Sequence, residues 1–507
     1  MSKTFILRDE LVLTSDQVNS IFEPKRGGLV SEIEIPDSPG CFSMKRGIVS
    51  NYCREVDFEP NADSATFVVR QSVHYKVDLF GFGSLVGRAL RTRLRDINPE
   101  VEIPIWLPPD ILDNSVARSL VRLLMISIST AYFATLLGQT LTFSAHEFHA
   151  NLRDQTLVLL LSRFDIVFGL LLLVFVRRRG RVRIIQIGTV LGTFFSLLST
   201  VAPNMATLGI LQVLAKGSTA AIGVLITVSV AETVSPRQRA WGIGLMVFGA
   251  AIGAGLCDVL LPIAGFTDWS WRILYAVSLP LGIYGMVLSS GLTDTERFQA
   301  LKTASVNLSK TISVPMTTRA RMAVLAVASF VTNAFLIPTT QFRNEYLRVE
   351  RHLSAAEIGM FVILTNVPGV LGLVFGGRLA ETKGRKVVGV VAIIVGGGGI
   401  AMGFISAGLG LWVWTIVGSA VIPAIVPSLG VYQTELFSTQ SRSMGGGLVT
   451  VGARIGSIVG VALVGYWASF YSLGSSIAFL FVGMIFLVPI LIAFFPETKG
   501  LSLEDIS

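Results

Sequence analysis

Five charged side chains stand out within stretches that are otherwise largely apolar: Arg163, Asp165, Lys216, Asp258 and Arg454. An ionisable group at membrane depth is costly, so each is a functional candidate for which a partner or ligand should exist. Lys216 and Arg454 lie deepest. An anion, or an acidic partner that exchanges a proton, would compensate them. Asp165 and Asp258 are the carboxylates available inside the apolar stretches, which makes them the proton-coupling candidates. A plainer account competes for three of the five. Arg163 and Asp165 can neutralise each other or reach neighbouring spans, and Asp258 can sit near enough to the interface to stay hydrated.

The elements that must hold these charges are membrane helices. With 52% hydrophobic and 15% charged residues and a mean hydropathy of +0.67, the chain is too apolar for a soluble globule. Apolar stretches of crossing length fall near 117–140, 156–176, 184–203, 207–230, 241–263 and 271–291, then near 322–341, 358–377, 387–407, 411–432, 446–468 and 475–495. The expected architecture is therefore all-α: six plus six transmembrane helices behind a small α+β leader. The expected division is a leader at 1–115, an amino-terminal bundle at 116–291, a linker at 292–320 and a carboxy-terminal bundle with its tail at 321–507. Under this topology the loops on one side carry 17 Lys and Arg and those on the other carry 5. The excess marks the cytoplasmic side, so both termini are expected there, in a multi-pass plasma-membrane protein.

The two sets of helices look duplicated. Gly180-Arg181 precedes Gly384-Arg385 by 204 residues, Glu232-x6-Arg239 precedes Glu435-x6-Arg442 by 203, and the acidic segments after the sixth and twelfth stretches are also 203 apart. Paired bundles are the arrangement in which one half rocks against the other. The leader contributes a strand pattern. Phe67, Val69, Gln71, Val73, Tyr75 and Val77 alternate with polar residues over 66–78, with partner strands expected in 41–58. Residues 83–96 then read as a basic amphipathic helix.

Gly377-x3-Glu381-x2-Gly384-Arg385-Lys386, the two Glu-x6-Arg pairs and the terminal Pro-Glu-Thr-Lys-Gly-Leu-Ser-Leu-Glu-Asp-Ile together resemble the major facilitator superfamily, in its sugar-porter-like and organic-ion-transporter-like branch. The resemblance covers 117–507, and the whole layout is similar to uncharacterised actinobacterial members with a soluble leader. The leader itself resembles an incomplete START-like fold. The resemblance implies that Glu381, Arg385, Glu435 and Arg442 form a gating cluster, with Arg181, Glu232 and Arg239 as its mirror. In the amino half Arg177 stands where the family has an acid and Leu173 where it has glycine, so gating charge is expected to concentrate in the carboxyl half. The competing account makes these arginines topology anchors. Arg454 is similar to an arginine that faces the central cavity in organic-ion transporters.

The function expected is secondary active transport of a small organic solute, an organic ion or sugar-like metabolite, by alternating access. Arg454, Lys216, Asn333, Gln341, Asn366 and Gln139 are the substrate-binding candidates, and Asp165 and Asp258 those for symport of protons; uniport stays open. The rival is a membrane sensor of transporter shape that signals through the leader. The partners expected are the lipid bilayer, a small-molecule substrate and protons, with the chain a monomer that uses neither cofactor nor metal. The three cysteines show no metal spacing. The net charge of +8 gathers in loops beside apolar stretches, as orientation requires, and makes no case for nucleic acid. Catalytic triads and phosphate loops are absent from the apolar stretches, so no enzyme class is expected.

Overall fold

A computed structural model describes residues 3–24, 26–27, 30–36, 38–60, 66–77, 87–88, 91, 111–235, 238–292, 316–429 and 442–495. Eleven helices among them are long and apolar enough to cross a membrane, and Leu409–Ala424 stands in the tenth position as a shorter one. Span 1 is Asn114–Glu147, span 2 Leu152–Val174, span 3 Arg181–Val201, span 4 Met205–Thr233, span 5 Trp241–Gly265 and span 6 Trp271–Ser290. Span 7 is Met322–Gln341, span 8 begins at Ala355, span 9 is Arg385–Ile405, span 11 Gly447–Trp467 and span 12 Leu473–Phe494. This is the twelve-helix arrangement that hydropathy implied.

The duplication is visible in how the helices touch. Gly249 and Gly253 on span 5 bring that helix onto the backbone of span 1 at Leu124 and Ile128; Gly452 and Gly456 on span 11 do the same to span 7 at Ala326 and Phe330. Both glycine pairs are 203 residues apart. Helices in lipid associate by close packing rather than by the hydrophobic effect, so small residues at this contact set the distance between them. Gly456→Leu is therefore expected to cost at least the 1–3 kcal/mol typical of overpacking. Gly447→Leu on the same helix faces open space and should cost little. Melting of the two variants in detergent compares them, and equal stability would refute the contact.

Two loop glycines hold backbone angles that other residues adopt only with strain. Gly180 has φ +89° and Gly384 φ +102°, and each precedes the arginine that opens its next helix. The equivalent sharp turns explain why Gly-Arg recurs in both halves.

The leader is a single antiparallel sheet in the order β1-β6-β5-β4-β3-β2, with β1 Lys3–Thr14, β2 Arg26–Gly27, β3 Val30–Glu34, β4 Cys41–Gly47, β5 Ser50–Pro60 and β6 Thr66–Val77. Helix α1, Ser15–Ile21, follows β1. On β6 the residues Val69, Gln71, Val73, Tyr75 and Val77 are buried, as their alternation predicted. Of the segment expected to be a basic helix, Gly87, Arg88 and Arg91 are described and helical; the rest, on which a START-like closure depends, lies outside the described residues. The sheet does not hang free. Leu7, Val30, Val49 and Tyr75 belong to one hydrophobic cluster with Leu112, Ala117, Leu120 and Leu123 at the start of span 1. Arg46 also pairs with Asp113 at 3.0 Å. The end of the bundle bearing the sheet is called the leader end, and the opposite one the far end.

Candidate functional site

Span 2 is not one continuous α-helix. Leu152–Leu161 gives way to a 3₁₀ turn at Ser162–Phe164, and an α-helix resumes at Asp165 and runs to Val174. A mid-helix 3₁₀ turn often marks a functional hinge. Here it carries Arg163 and places Asp165 in the first turn of the resumed helix, where the positive end of a helix favours a carboxylate. Lys216 reaches the same place because its neighbour Gly217 lets span 4 lie against the break. A Cβ on Gly217 would stand 2.6 Å from the Asp165 carbonyl oxygen.

Arg454 arrives from the other half of the molecule. Its helix turns Gly452 and Gly456 toward span 7, and position 454 lies about 200° around from 452, on the opposite side. That side meets span 2, and the Arg454 Nη1 donates to Asp165 Oδ1 at 3.1 Å. The sequence left open that Arg163 and Asp165 neutralise each other or reach neighbouring spans. For Asp165 the structure shows the second, giving its carboxylate a hydrogen-bonded ion pair across the two halves.

The group is short of negative charge. Lys216 lies within electrostatic reach of Arg163, Asp165 and Arg454, and Arg163 within reach of Asp165 and Arg454. Lys216 is buried. Buried Nε and Nη2 atoms of Arg163 have no hydrogen-bond partner among the described residues. By helix rise, Asp165, Lys216 and Arg454 stand about 16–20 Å from the far ends of their helices, near mid-membrane.

The remaining candidates distribute differently. Gln139 and Asn366 make contacts between the halves: Asn344 Nδ2 donates to Gln139 Oε1 at 2.8 Å, and Asn366 Nδ2 to Asp258 Oδ2 at 3.2 Å. Asp258 is buried, with Arg343 within reach. Gln341 sits against Gly138, its Oε1 buried without a partner among the described residues. Asn333 donates to the carbonyl of Ser329, one turn back in its own helix, at 2.8 Å, the bonding that polar groups use inside bundles.

At the leader end, Glu435 and the side chains of Glu381 and Arg442 lie outside the described residues; Arg385 opens span 9. The amino-half residues are described. Arg181 pairs with Glu232, and Arg239 Nε donates to the carbonyl of Ala231 at 2.9 Å. Loss of the family's acid at position 177 therefore does not leave this loop without an ion pair. Both partners belong to one half, so the contact braces spans 3 and 4 to each other.

Sequence reasoning missed a second group at the far end. Gln155 Nε2 on span 2 donates to Glu345 Oε1 at 2.9 Å, and the guanidinium of Arg348 covers the ring of Phe143 at 4.5 Å. Burial raises the Glu345 carboxyl above the usual carboxylate range. With the Gln139–Asn344 contact, these bonds tie the two halves together at the far end. A clasp inside each half was also overlooked. Glu147 accepts from the Trp271 indole at 2.5 Å and from Arg272, and 203 residues on, Glu350 accepts from the backbone N–H groups of Leu473 and Gly474. The offset itself was the signal that could have found this pair.

Comparison with known proteins fits this geometry. Residues 322–505 match the sequence profile of the Major Facilitator Superfamily, and the fold superposes on the inward-open xylose transporter XylE from E. coli with a TM-score of 0.63 at 14% identity, over 77% of this chain and 99% of that one. The chain has the major facilitator fold. Its curated relatives are transporters, not enzymes. A putative metabolite transport protein of Haemophilus influenzae is 24% identical over 303 residues, which is 54% of this chain and 68% of the relative. The proline/betaine transporter of Escherichia coli is 36% identical over 80 residues, 14% of this chain. The match spans only 16% of that transporter's length. Within the major facilitator fold, the pair Asp165–Arg454 crosses from one six-helix half to the other.

Proposed function

We propose that this multi-pass membrane protein is a secondary transporter that moves a small organic solute by alternating access. The observation that carries the reading is the Asp165–Arg454 ion pair, which joins the two halves at mid-depth while the far end is held shut by Gln139–Asn344 and Gln155–Glu345. A site that bridges two pseudo-symmetric halves is the part whose geometry changes when one half rocks against the other. The excess of Lys and Arg in the loops at the leader end supports a cytoplasmic leader, both termini inside, and a plasma-membrane location. In this reading the closed far end faces outward and the chain works as a monomer.

The direct test is flux through purified protein in liposomes under imposed ion gradients. Binding without flux under any gradient would overturn the transporter in favour of a sensor. That second reading has one specific support, the continuous hydrophobic cluster between leader and span 1, through which rocking could be felt by the sheet.

Proton coupling is assigned to Asp165 or Asp258, each bonded to a group of the opposite half. A carboxylate that must be released for the halves to part is one whose protonation can be tied to that movement. An inward pH gradient should drive uptake in the wild type and lose that effect in Asp165→Asn or Asp258→Asn. Unchanged driving in both variants would overturn the assignment, and no driving in the wild type would leave uniport.

A further inference from the structure

The mid-depth group holds three cations, Arg163, Lys216 and Arg454, and among the described residues one carboxylate faces them, Asp165. The surplus is two positive charges in the middle of a membrane protein. A structural explanation would require the fold to need them, and the duplication answers that directly.

The 203-residue offset holds in this region at the level of contacts. Gly169 packs on the carbonyl of Gly217, and Gly372 packs on the carbonyl of Ala420 in the other half; both residues of each pair are 203 apart. Carried across the same offset, Arg163, Asp165 and Lys216 correspond to Asn366, Pro368 and Ser419, and Arg454 to Ala251. All four are neutral. One half thus builds the same helix contact without ionisable groups, so packing does not demand them. Keeping them is costly, since a buried donor with no acceptor forfeits its hydration, and among the described residues the Nε and Nη2 of Arg163 are in that position.

We propose that this cluster is a binding site for a small oxyanion carrying two negative charges, a dicarboxylate or a phosphate monoester. The proposal deepens the transport reading and rests on it for the site's access to solute. One anionic group of the ligand takes the Nε and Nη2 donors of Arg163 beside Lys216. The second competes with Asp165 for Arg454, whose side chain is 35% exposed and reachable. Binding in this way exchanges the ion pair that joins the halves for one through the ligand, which couples occupancy of the site to the contact between halves. A zwitterion or neutral sugar cannot offset two charges.

The experiment uses the full chain in nanodiscs. Thermal stabilisation is read with succinate, methyl phosphate, glycine betaine and xylose at matched ionic strength, because a ligand that binds the folded state raises its melting temperature. Succinate or methyl phosphate should stabilise, and which of the two does so separates the carboxylate from the phosphate ligand. Arg163→Gln should weaken that binding at least about tenfold. Lys216→Met should do the same and shift preference toward the monoanion propionate, a change of charge selectivity that a merely destabilised protein would not show. Stabilisation by betaine or xylose but by neither dianion overturns the proposal and leaves transport standing, as does silence from both dianions. Dianion binding without counterflow in liposomes upholds the site and removes the transport reading.

Discussion

Arg454→Ala is expected to lower solute flux at least tenfold while the protein still reaches the membrane. Insertion should not suffer, because an arginine near the centre of a membrane helix costs about 2.5–3.5 kcal/mol on translocon scales, and the variant removes it. Flux should suffer because the arginine is the carboxyl half's contribution to the mid-depth pair. Without it, Asp165, whose side chain is 13% exposed, loses its bonded partner. Truncating one member of a fully buried, hydrogen-bonded charge pair costs about 2–5 kcal/mol; this pair is partly buried and should sit at or below the lower end of that range, and tenfold corresponds to about 1.4 kcal/mol. Arg454→Lys keeps the charge without the guanidinium geometry and should fall between. Since the residues are in contact, Arg454→Ala combined with Asp165→Asn should cost less than the sum of the two. Initial uptake rates in liposomes at equal reconstituted protein decide the matter, and wild-type flux in Arg454→Ala would remove this pair from the mechanism.

Glu32→Ala is expected to destabilise the leader by about 3–5 kcal/mol, a large share of the 5–15 kcal/mol that holds a typical domain together. Arg54 and Glu32 are both fully buried, with Arg54 Nη2 2.6 Å from Glu32 Oε2 and Nε 2.9 Å from Oε1. Two further donors of the guanidinium go to the carbonyls of Ile21 and Glu23, which fixes the end of α1 against the sheet. Tyr52 donates to Glu32 at 2.5 Å; burial, and then the Glu32 carboxylate, push its hydroxyl far above the ordinary tyrosine value, so it remains a donor. Alanine at 32 leaves a buried guanidinium without its counter-charge. Glu10→Ala, which breaks an exposed pair with Arg70, should leave stability unchanged. Hydrogen exchange in β5 and β6 of the membrane-embedded protein compares the two variants. Equal protection in both would show that the buried network does not hold the leader.

The coupling between leader and bundle follows from the same physics. The inner face of the sheet is apolar and would otherwise meet water; it is covered by the part of span 1 that begins at Asn114, well before the hydropathy-derived boundary at 117. Span 1 is 34 residues long, more than the roughly 20 a bilayer requires. Its surplus at the leader end, Asn114 to about Leu123, serves as the sheet's packing partner. Asn114 Nδ2 donates to the Val49 carbonyl at 3.3 Å, which fixes the sheet's rotation on the helix.

Much of this was determined by the sequence alone. Hydropathy placed twelve spans, because lipid admits only apolar helices of a set length. An offset of 203–204 residues revealed two related halves, because equivalent turns need the same residue types, as at the glycines 180 and 384; the structure added the glycine pairs at 249/253 and 452/456. Alternation placed β6, because a half-buried strand has a period of two. What tertiary structure decided was pairing. Asp165 has Arg163 two residues away, yet bonds to Arg454, 289 residues on, because the 3₁₀ turn re-aims the helix and the glycines of span 11 turn Arg454 toward it. Glu345 and Asn344 read as loop residues and became the closure of the far end. A residue's chemistry and depth can be read locally, but its partner depends on which helices meet and on which face of each helix the contact falls.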